Sequence, residues 1–157
     1  MTTRNSLLLL LFIAFSACRN ETKYHSFQYI KNKDWNKSDT LIYNIPVTAS
    51  KGIYRLQIEI RHTDNYKYKN LWLEMSNNLK DSTRFVKDSI QLKLADKSGR
   101  WYGDGIGGLY QFDTLFTKRI IVSQTANNHS LRITHIMRDN SLPGIRDIGI
   151  RLDKIAD

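Results

Sequence analysis

Residues 54–61 read Tyr-Arg-Leu-Gln-Ile-Glu-Ile-Arg. Tyr54, Leu56, Ile58 and Ile60 alternate with Arg55, Gln57, Glu59 and Arg61, so every position fits a strand with one face in an apolar core and the other in water. No other stretch of the chain carries so plain a local signal.

The same period of two extends in both directions. Leu41-Tyr43-Ile45, Ile90-Leu92-Leu94 and Ile148-Ile150-Leu152 obey it, and 71–75, 110–116, 120–122 and 131–137 are further strand candidates rich in β-branched or aromatic residues. Turn formers separate them: Thr63-Asp64-Asn65, Ser76-Asn77-Asn78, Asp96-Lys97-Ser98-Gly99, Gly103-Asp104-Gly105, Asn127-Asn128 and Ser141-Leu142-Pro143-Gly144. A helical period is weak everywhere downstream of residue 18, and its best stretch is Leu79 to Ile90. Eight or so short strands with little helix predict an all-β fold, an antiparallel β-sandwich of jelly-roll or immunoglobulin-like order. Trp72 is expected in its core with Leu71 or Leu73.

Upstream, Leu7 to Phe15 is a run of nine apolar residues, preceded by Arg4 and followed by Ser16-Ala17. That is the layout of a secretory signal peptide, and it is shorter than the roughly 20 residues needed to span a bilayer. The one cysteine, Cys18, comes directly after it. Phe15-Ser16-Ala17-Cys18 resembles the bacterial lipobox, in which the peptide is cut before the cysteine and the cysteine receives acyl chains such as palmitate. Lipidation accounts for the position of the thiol as well as its solitude, since a lone cysteine has no internal disulfide partner. The expected organisation is a lipoprotein signal peptide over 1–17, a short lipidated tether over 18–23 and a single β-sandwich domain over 24–157. The segment Tyr24 to Trp35 holds too many aromatic residues for a disordered spacer. The domain is therefore expected close to the membrane, with Lys23, Lys31, Lys33 and Lys37 toward lipid headgroups.

The formal charge is +9, and removing Arg4 with the signal peptide leaves 23 basic against 15 acidic side chains. Basic chains favour anionic partners, but the charge is dispersed and forms no block of five. Nucleic acid is excluded as a partner for an exported lipoprotein; lipid headgroups and anionic glycans fit the charge better, and a merely solvated basic surface fits it better than either. Arg19 is not the aspartate of the inner-membrane retention rule, and Arg19-Asn20-Glu21 lacks an acidic surface-export run. Both point to the periplasmic face of the outer membrane.

Gly103-Asp104-Gly105-Ile106-Gly107-Gly108 satisfies GxGxxG, but a dinucleotide site also needs a helix after the glycines and an acidic residue about 20 positions on. The next residues are the alternating Leu109-Tyr110-Gln111-Phe112, so a tight hairpin displaying Trp101 and Tyr102 is expected instead. His25, His62, His129 and His135 have no metal-ligand spacing, and His135 falls in register with Leu131, Ile133 and Met137, as a core or edge histidine would. Asp96, Asp104 and Asp113 read as turn formers rather than calcium ligands. With no nucleophile motif, the chain is read as not an enzyme, with no cofactor and no metal. The residues put forward as partner contacts are Trp101, Tyr102, Arg61 and Arg138, with Asp96 beside them; a structural role is favoured over contact for Trp101, and closing turns over contact for Arg61, Arg138 and Asp96.

Four blocks in order resemble the gliding-motility lipoprotein family GldH of the Bacteroidetes. Arg61 with Tyr66-Lys67-Tyr68-Lys69-Asn70-Leu71-Trp72 after it is the first match beyond the 34–47 strand region. Leu94-Ala95-Asp96 with Gly99-Arg100-Trp101-Tyr102-Gly103-Asp104-Gly105 is the next, and Met137-Arg138, Leu142-Pro143-Gly144-Ile145 and Gly149 complete the series. The resemblance implies a membrane-anchored, non-catalytic component of the gliding motility and cell-envelope machinery, acting through contact with another envelope or gliding-machinery protein. A lipid-anchored module binding glycans or peptidoglycan through exposed aromatic and basic side chains is the alternative.

Overall fold

A computed structural model describes residues 21–31, 34–46, 52–80, 83–122 and 128–156. They form β1 (Glu21–Tyr29), β2 (Asp34–Asn36), β3 (Leu41–Pro46), β4 (Gly52–Thr63), β5 (Asn70–Asn77), β6 (Val86–Lys93), β7 (Asp104–Ile106), β8 (Leu109–Val122), β9 (Asn128–His135), β10 (Ser141–Pro143) and β11 (Ile145–Ala156). One sheet has the order β1-β11-β4-β8-β7, the other β3-β9-β5-β6, and β2 pairs β10 between them.

All of these pairings are antiparallel. The chain pairs from its ends inward, β1 with β11, β2 with β10, β3 with β9, β4 with β8 and β5 with β6, like a long two-stranded ribbon. Folding that ribbon on itself adds the pairs β11 with β4 and β9 with β5, which yields two four-stranded sheets of jelly-roll order with β7 as an extra edge strand. The pairing order decides between the two architectures that alternation left open.

The core is the space between the sheets. Tyr54, Leu56, Ile58 and Ile60 of β4, together with Ile148 and Ile150 of β11, are fully buried against Leu71, Leu73 and Met75 of β5 and Leu131 and Ile133 of β9. Each such side chain contributes about 1.5–3 kcal/mol of hydrophobic stabilisation. Tyr43 of β3 crosses this core and donates its hydroxyl to the Ile148 carbonyl of the opposite sheet at 2.7 Å. Burial raises its phenol pKa well above the usual value, with Tyr24 and Asp147 adding to the effect. At the rim, the Gln28 amide of β1 donates to the Ile42 carbonyl of β3 and joins the two sheets along that edge.

Several expectations change. Trp72 is 38% exposed: Leu71 and Leu73 both point inward, and with a side-chain period of two the residue between them must face out. The stretches 110–116 and 120–122 belong to one strand, β8, which absorbs a register shift opposite Leu56 and Ile58. The weak helical run from Leu79 to Ile90 is not helical where described, and its end lies in β6. The segment from Tyr24 contributes a strand that begins at Glu21, so Glu21, Thr22 and Lys23 of the expected tether belong to the strand that pairs with β11. Alternation hides this strand because its inward positions include Ser26 and Gln28 among Tyr24 and Ile30. His135 is fully buried, as its register with Leu131 and Ile133 required.

Candidate functional site

The register fixes which features share an end of the sandwich. Glu21 is opposite Lys154, Lys154 opposite Tyr54, and Leu109 opposite Thr63. Nine residues of β4 separate Tyr54 from Thr63, roughly 30 Å at about 3.3 Å per residue. The described chain therefore starts at one end of the sandwich, and the β7–β8 hairpin turns at the other.

That hairpin explains the glycine-rich motif. Gly107 and Gly108 have φ of 62° and 79°, the left-handed values that a two-residue type I′ turn requires at both central positions. Gly105 answers a close approach: a Cβ there would lie 2.6 Å from the Tyr110 ring. The motif makes the expected hairpin. At its tip Ile106 is 90% exposed and Leu109 42%, and every residue of β7 is exposed.

Behind the hairpin, on the inward side, His62 is the centre of an aromatic cluster. Its ring meets Trp101 edge-on at 4.6 Å and stacks on Tyr110 at 5.4 Å, with Tyr66 beside it at 6.1 Å. Trp101 donates its indole N–H to Asp64 at 3.1 Å. Tyr110 also bonds Asp64, which raises its phenol pKa. Burial holds the His62 pKa below its usual value, outweighing the Thr63 carbonyl and Asp64, which act in the opposite sense. Tyr102, next along the loop, stacks on Phe112 at 6.1 Å.

On the outward face of the same sheet, Arg61 donates through Nε to Gln111 at 2.9 Å and places its guanidinium 4.0 Å from the centre of the Phe27 ring. Gln111 donates in turn to Asp113 at 3.2 Å. Arg61, Asp104, Ile106, Leu109, Gln111 and Asp113 line a cleft of about 370 Å³. Further along this face, His25 meets the buried Glu59 carboxylate at 3.0 Å, and Asp153 accepts from Thr22 and Arg151.

The residues put forward as contacts thus separate. Trp101 is half-buried and committed to Asp64, while Tyr102 is 39% exposed at the rim. Arg61 does not close a turn; it lies on the opposite side of the sheet from Trp101, at the cleft. Arg138 is exposed beside Tyr68, whose hydroxyl donates to Asp139 at 2.7 Å. Asp96 is a turn former: it accepts from Ser98 Oγ at 2.6 Å and from the Arg100 N–H at 2.9 Å. The Ser98 bond and then the Arg100 bond hold its carboxyl below the usual range. Among the described residues no three His, Cys, Asp or Glu side chains gather as a metal ion would require.

Lys23 lies near the start of β1 and Lys31 two residues past its end, so roughly 20 Å of strand keeps them from forming one patch. Lys33 and Cys18 lie outside the described residues. Sequence reading missed Ile106 and Leu109, although the hairpin it expected already implied an exposed tip. It also missed the outward Trp72, which the alternation of Leu71-Trp72-Leu73-Glu74-Met75 signals.

Residues 22–152 match the family described as GldH lipoprotein. The gliding motility lipoprotein GldH homolog of Christiangramia forsetii is 25% identical over 98% of both chains. The gliding motility lipoprotein GldH of Flavobacterium johnsoniae is 22% identical over 98% of this chain and 99% of that one. Among solved structures, dimeric latent PorU of Porphyromonas gingivalis is similar over 88% of this chain and 13% of that chain, at 8% identity and a TM-score of 0.38. The chain belongs to the GldH lipoprotein family, a family of lipid-anchored envelope proteins whose matching relatives carry the name of gliding motility.

Proposed function

We propose that this member of the GldH family is a non-catalytic component of the gliding and envelope machinery. It is held by acyl chains on Cys18 at the periplasmic face of the outer membrane, and it docks another envelope protein through the far end of its sandwich. The supporting observation is the opposition of two features along β4. Strand β1 starts at one end, with Glu21 three residues after Cys18, and the exposed Ile106 and Leu109 stand roughly 30 Å away at the other.

With only Arg19 and Asn20 between the lipidated cysteine and β1, that end of the sandwich stays at the bilayer. The hairpin is then presented away from lipid. Ile106 and Leu109 supply apolar contact area framed by the Arg61 cleft, an apolar centre with a polar rim. Two carboxylates of this face are engaged with neighbours, Asp113 with Gln111 and Glu59 with His25, which favours a structural role for them over acid–base chemistry. Two or more acyl chains give a stable anchor where one is marginal.

A photoreactive residue at position 106, introduced in gliding cells, is expected to capture one envelope protein reproducibly, and Ile106→Glu with Leu109→Glu to impair spreading. Normal spreading of that double variant, with no captured neighbour, would overturn the docking reading. Loss of the protein from intact cells on treatment with external protease would instead place it on the cell surface.

A further inference from the structure

The outward faces of the two sheets use their polar side chains differently. On the five-stranded sheet they satisfy one another: His25 with Glu59, Arg61 with Gln111, and Thr22 and Arg151 with Asp153. On the four-stranded sheet Trp72 lies opposite Gln91, and Glu74 opposite Thr134. Trp72, Gln91 and Lys93 are exposed and Thr134 is half-buried, and among the described residues no hydrogen bond from their side chains ties them to a neighbour, so their polar groups face solvent.

The arrangement around Trp72 is compact. Gln91 is its direct cross-strand neighbour on β6, and Lys93, opposite Asn70, is its diagonal neighbour at about 7–8 Å. Thr134 of β9 is diagonal on the other side. Ile136, 41% exposed and just past the end of β9, donates its N–H to the Trp72 carbonyl at 2.9 Å. Positive charge predominates on this face: Lys87 is paired with Glu74 at 3.0 Å, whereas Lys93 and Arg132 carry charge that no acidic side chain opposite them offsets.

We propose that this face binds the glycan strands of peptidoglycan. A pyranose ring stacks its C–H face on the Trp72 indole, Gln91 and Thr134 take ring hydroxyls, and Lys93 pairs with a stem carboxylate. An aromatic ring with free amide and hydroxyl groups one strand away is what a sugar ring needs, apolar on its faces and polar around its edge. The uncompensated lysine and arginine select an acidic glycan over a neutral one. A protein-docking face would instead present a contiguous apolar patch, and here the local apolar surface is limited to Trp72 and Ile136, with Gln91, Lys93 and Thr134 supplying amide, charge and hydroxyl around them. The choice of peptidoglycan rests on the envelope placement above.

The test is co-sedimentation of the full chain, purified in detergent, with purified peptidoglycan sacculi, and with insoluble cellulose as a neutral glycan. Wild type is expected to sediment with sacculi and not with cellulose, and to be released by added salt. Trp72→Ala is expected to lose at least tenfold in affinity and Trp72→Phe less than threefold. Lys93→Gln should lose about threefold together with part of the salt dependence.

Gln91→Ala and Lys93→Gln, both at exposed positions, keep the test decisive should Trp72→Ala fold poorly. Equal sedimentation of these variants and wild type, equal retention on cellulose, or no retention of wild type would each overturn the proposal. So would a crosslinker at position 72 that captures a protein in cells while sacculi retain nothing. Ile106→Glu should leave sedimentation unchanged, so failure of the hairpin contact and failure of the glycan site read out separately.

Discussion

The ring of Phe27 on β1 occupies the space over Gly149 on the neighbouring strand, where a Cβ would come within 2.5 Å of it. Because residue 149 has no side chain, Phe27 reaches across β11 and meets the Arg61 guanidinium on β4, two strands away, at 4.0 Å. One glycine thus joins three strands of the outward face. Gly149→Ala should displace the ring and cost about 1–3 kcal/mol. In urea unfolding, the double variant with Phe27→Ala should lose less than the sum of the single losses, since without the ring the added methyl meets open space.

The hydroxyl of Tyr43 makes a buried hydrogen bond that ties one sheet to the other. Tyr43→Phe keeps the ring and its packing but removes that bond. Equilibrium unfolding should show a loss of about 0.5–1.5 kcal/mol with an unchanged denaturant slope.

Trp101 packs on His62 and bonds Asp64, so its role at the far end is to hold the β6–β7 loop against the sandwich. Trp101→Phe should lower stability by about 1 kcal/mol through the lost hydrogen bond. Sedimentation with sacculi should stay at the wild-type level, which separates Trp101 from Trp72 by a direct measurement.

His62 and His135 both have pKa values held below the usual one by burial. For His135, Lys37 adds to the effect while the Trp35 carbonyl and Asp39 oppose it. The unfolded chain therefore binds these protons more readily than the folded one. The contribution to stability is complete above about pH 6.5, the unfolded value, and declines as the pH falls through that value toward the lower folded pKa. The urea midpoint should drop between about pH 7 and pH 5, and His62→Gln with His135→Gln should flatten that dependence.

The exposed hairpin tip should matter little to folding. Ile106 at 90% exposure contributes almost nothing to the core, so Ile106→Glu is expected to change stability by no more than about 0.5 kcal/mol. A larger loss in thermal unfolding would show that the tip is structural.

The residues from Tyr54 to Arg61 state their own structure, because alternation of apolar and charged side chains leaves a single orientation in which one face is dry. Local sequence thus determined the long alternating strands, though not β1, together with the glycine hairpin at 103–108, the inward His135 and the turn closed by Asp96, each a matter of neighbours within a few positions. It also held the outward orientation of Trp72, since Leu71 and Leu73 leave it no other face.

Only the tertiary structure decided the rest. The jelly-roll order depends on pairings such as β1 with β11, whose residues lie more than a hundred positions apart. Alternation says which face a strand buries but not which strand lies beside it. The separation of Arg61 from Trp101 onto opposite sides of one sheet, the reach of Phe27 over Gly149, and the opposition of the hairpin to the start of β1 all derive from that order. These relations are set where distant strands meet, and hydrogen-bond ladders between them have no signature in either strand alone.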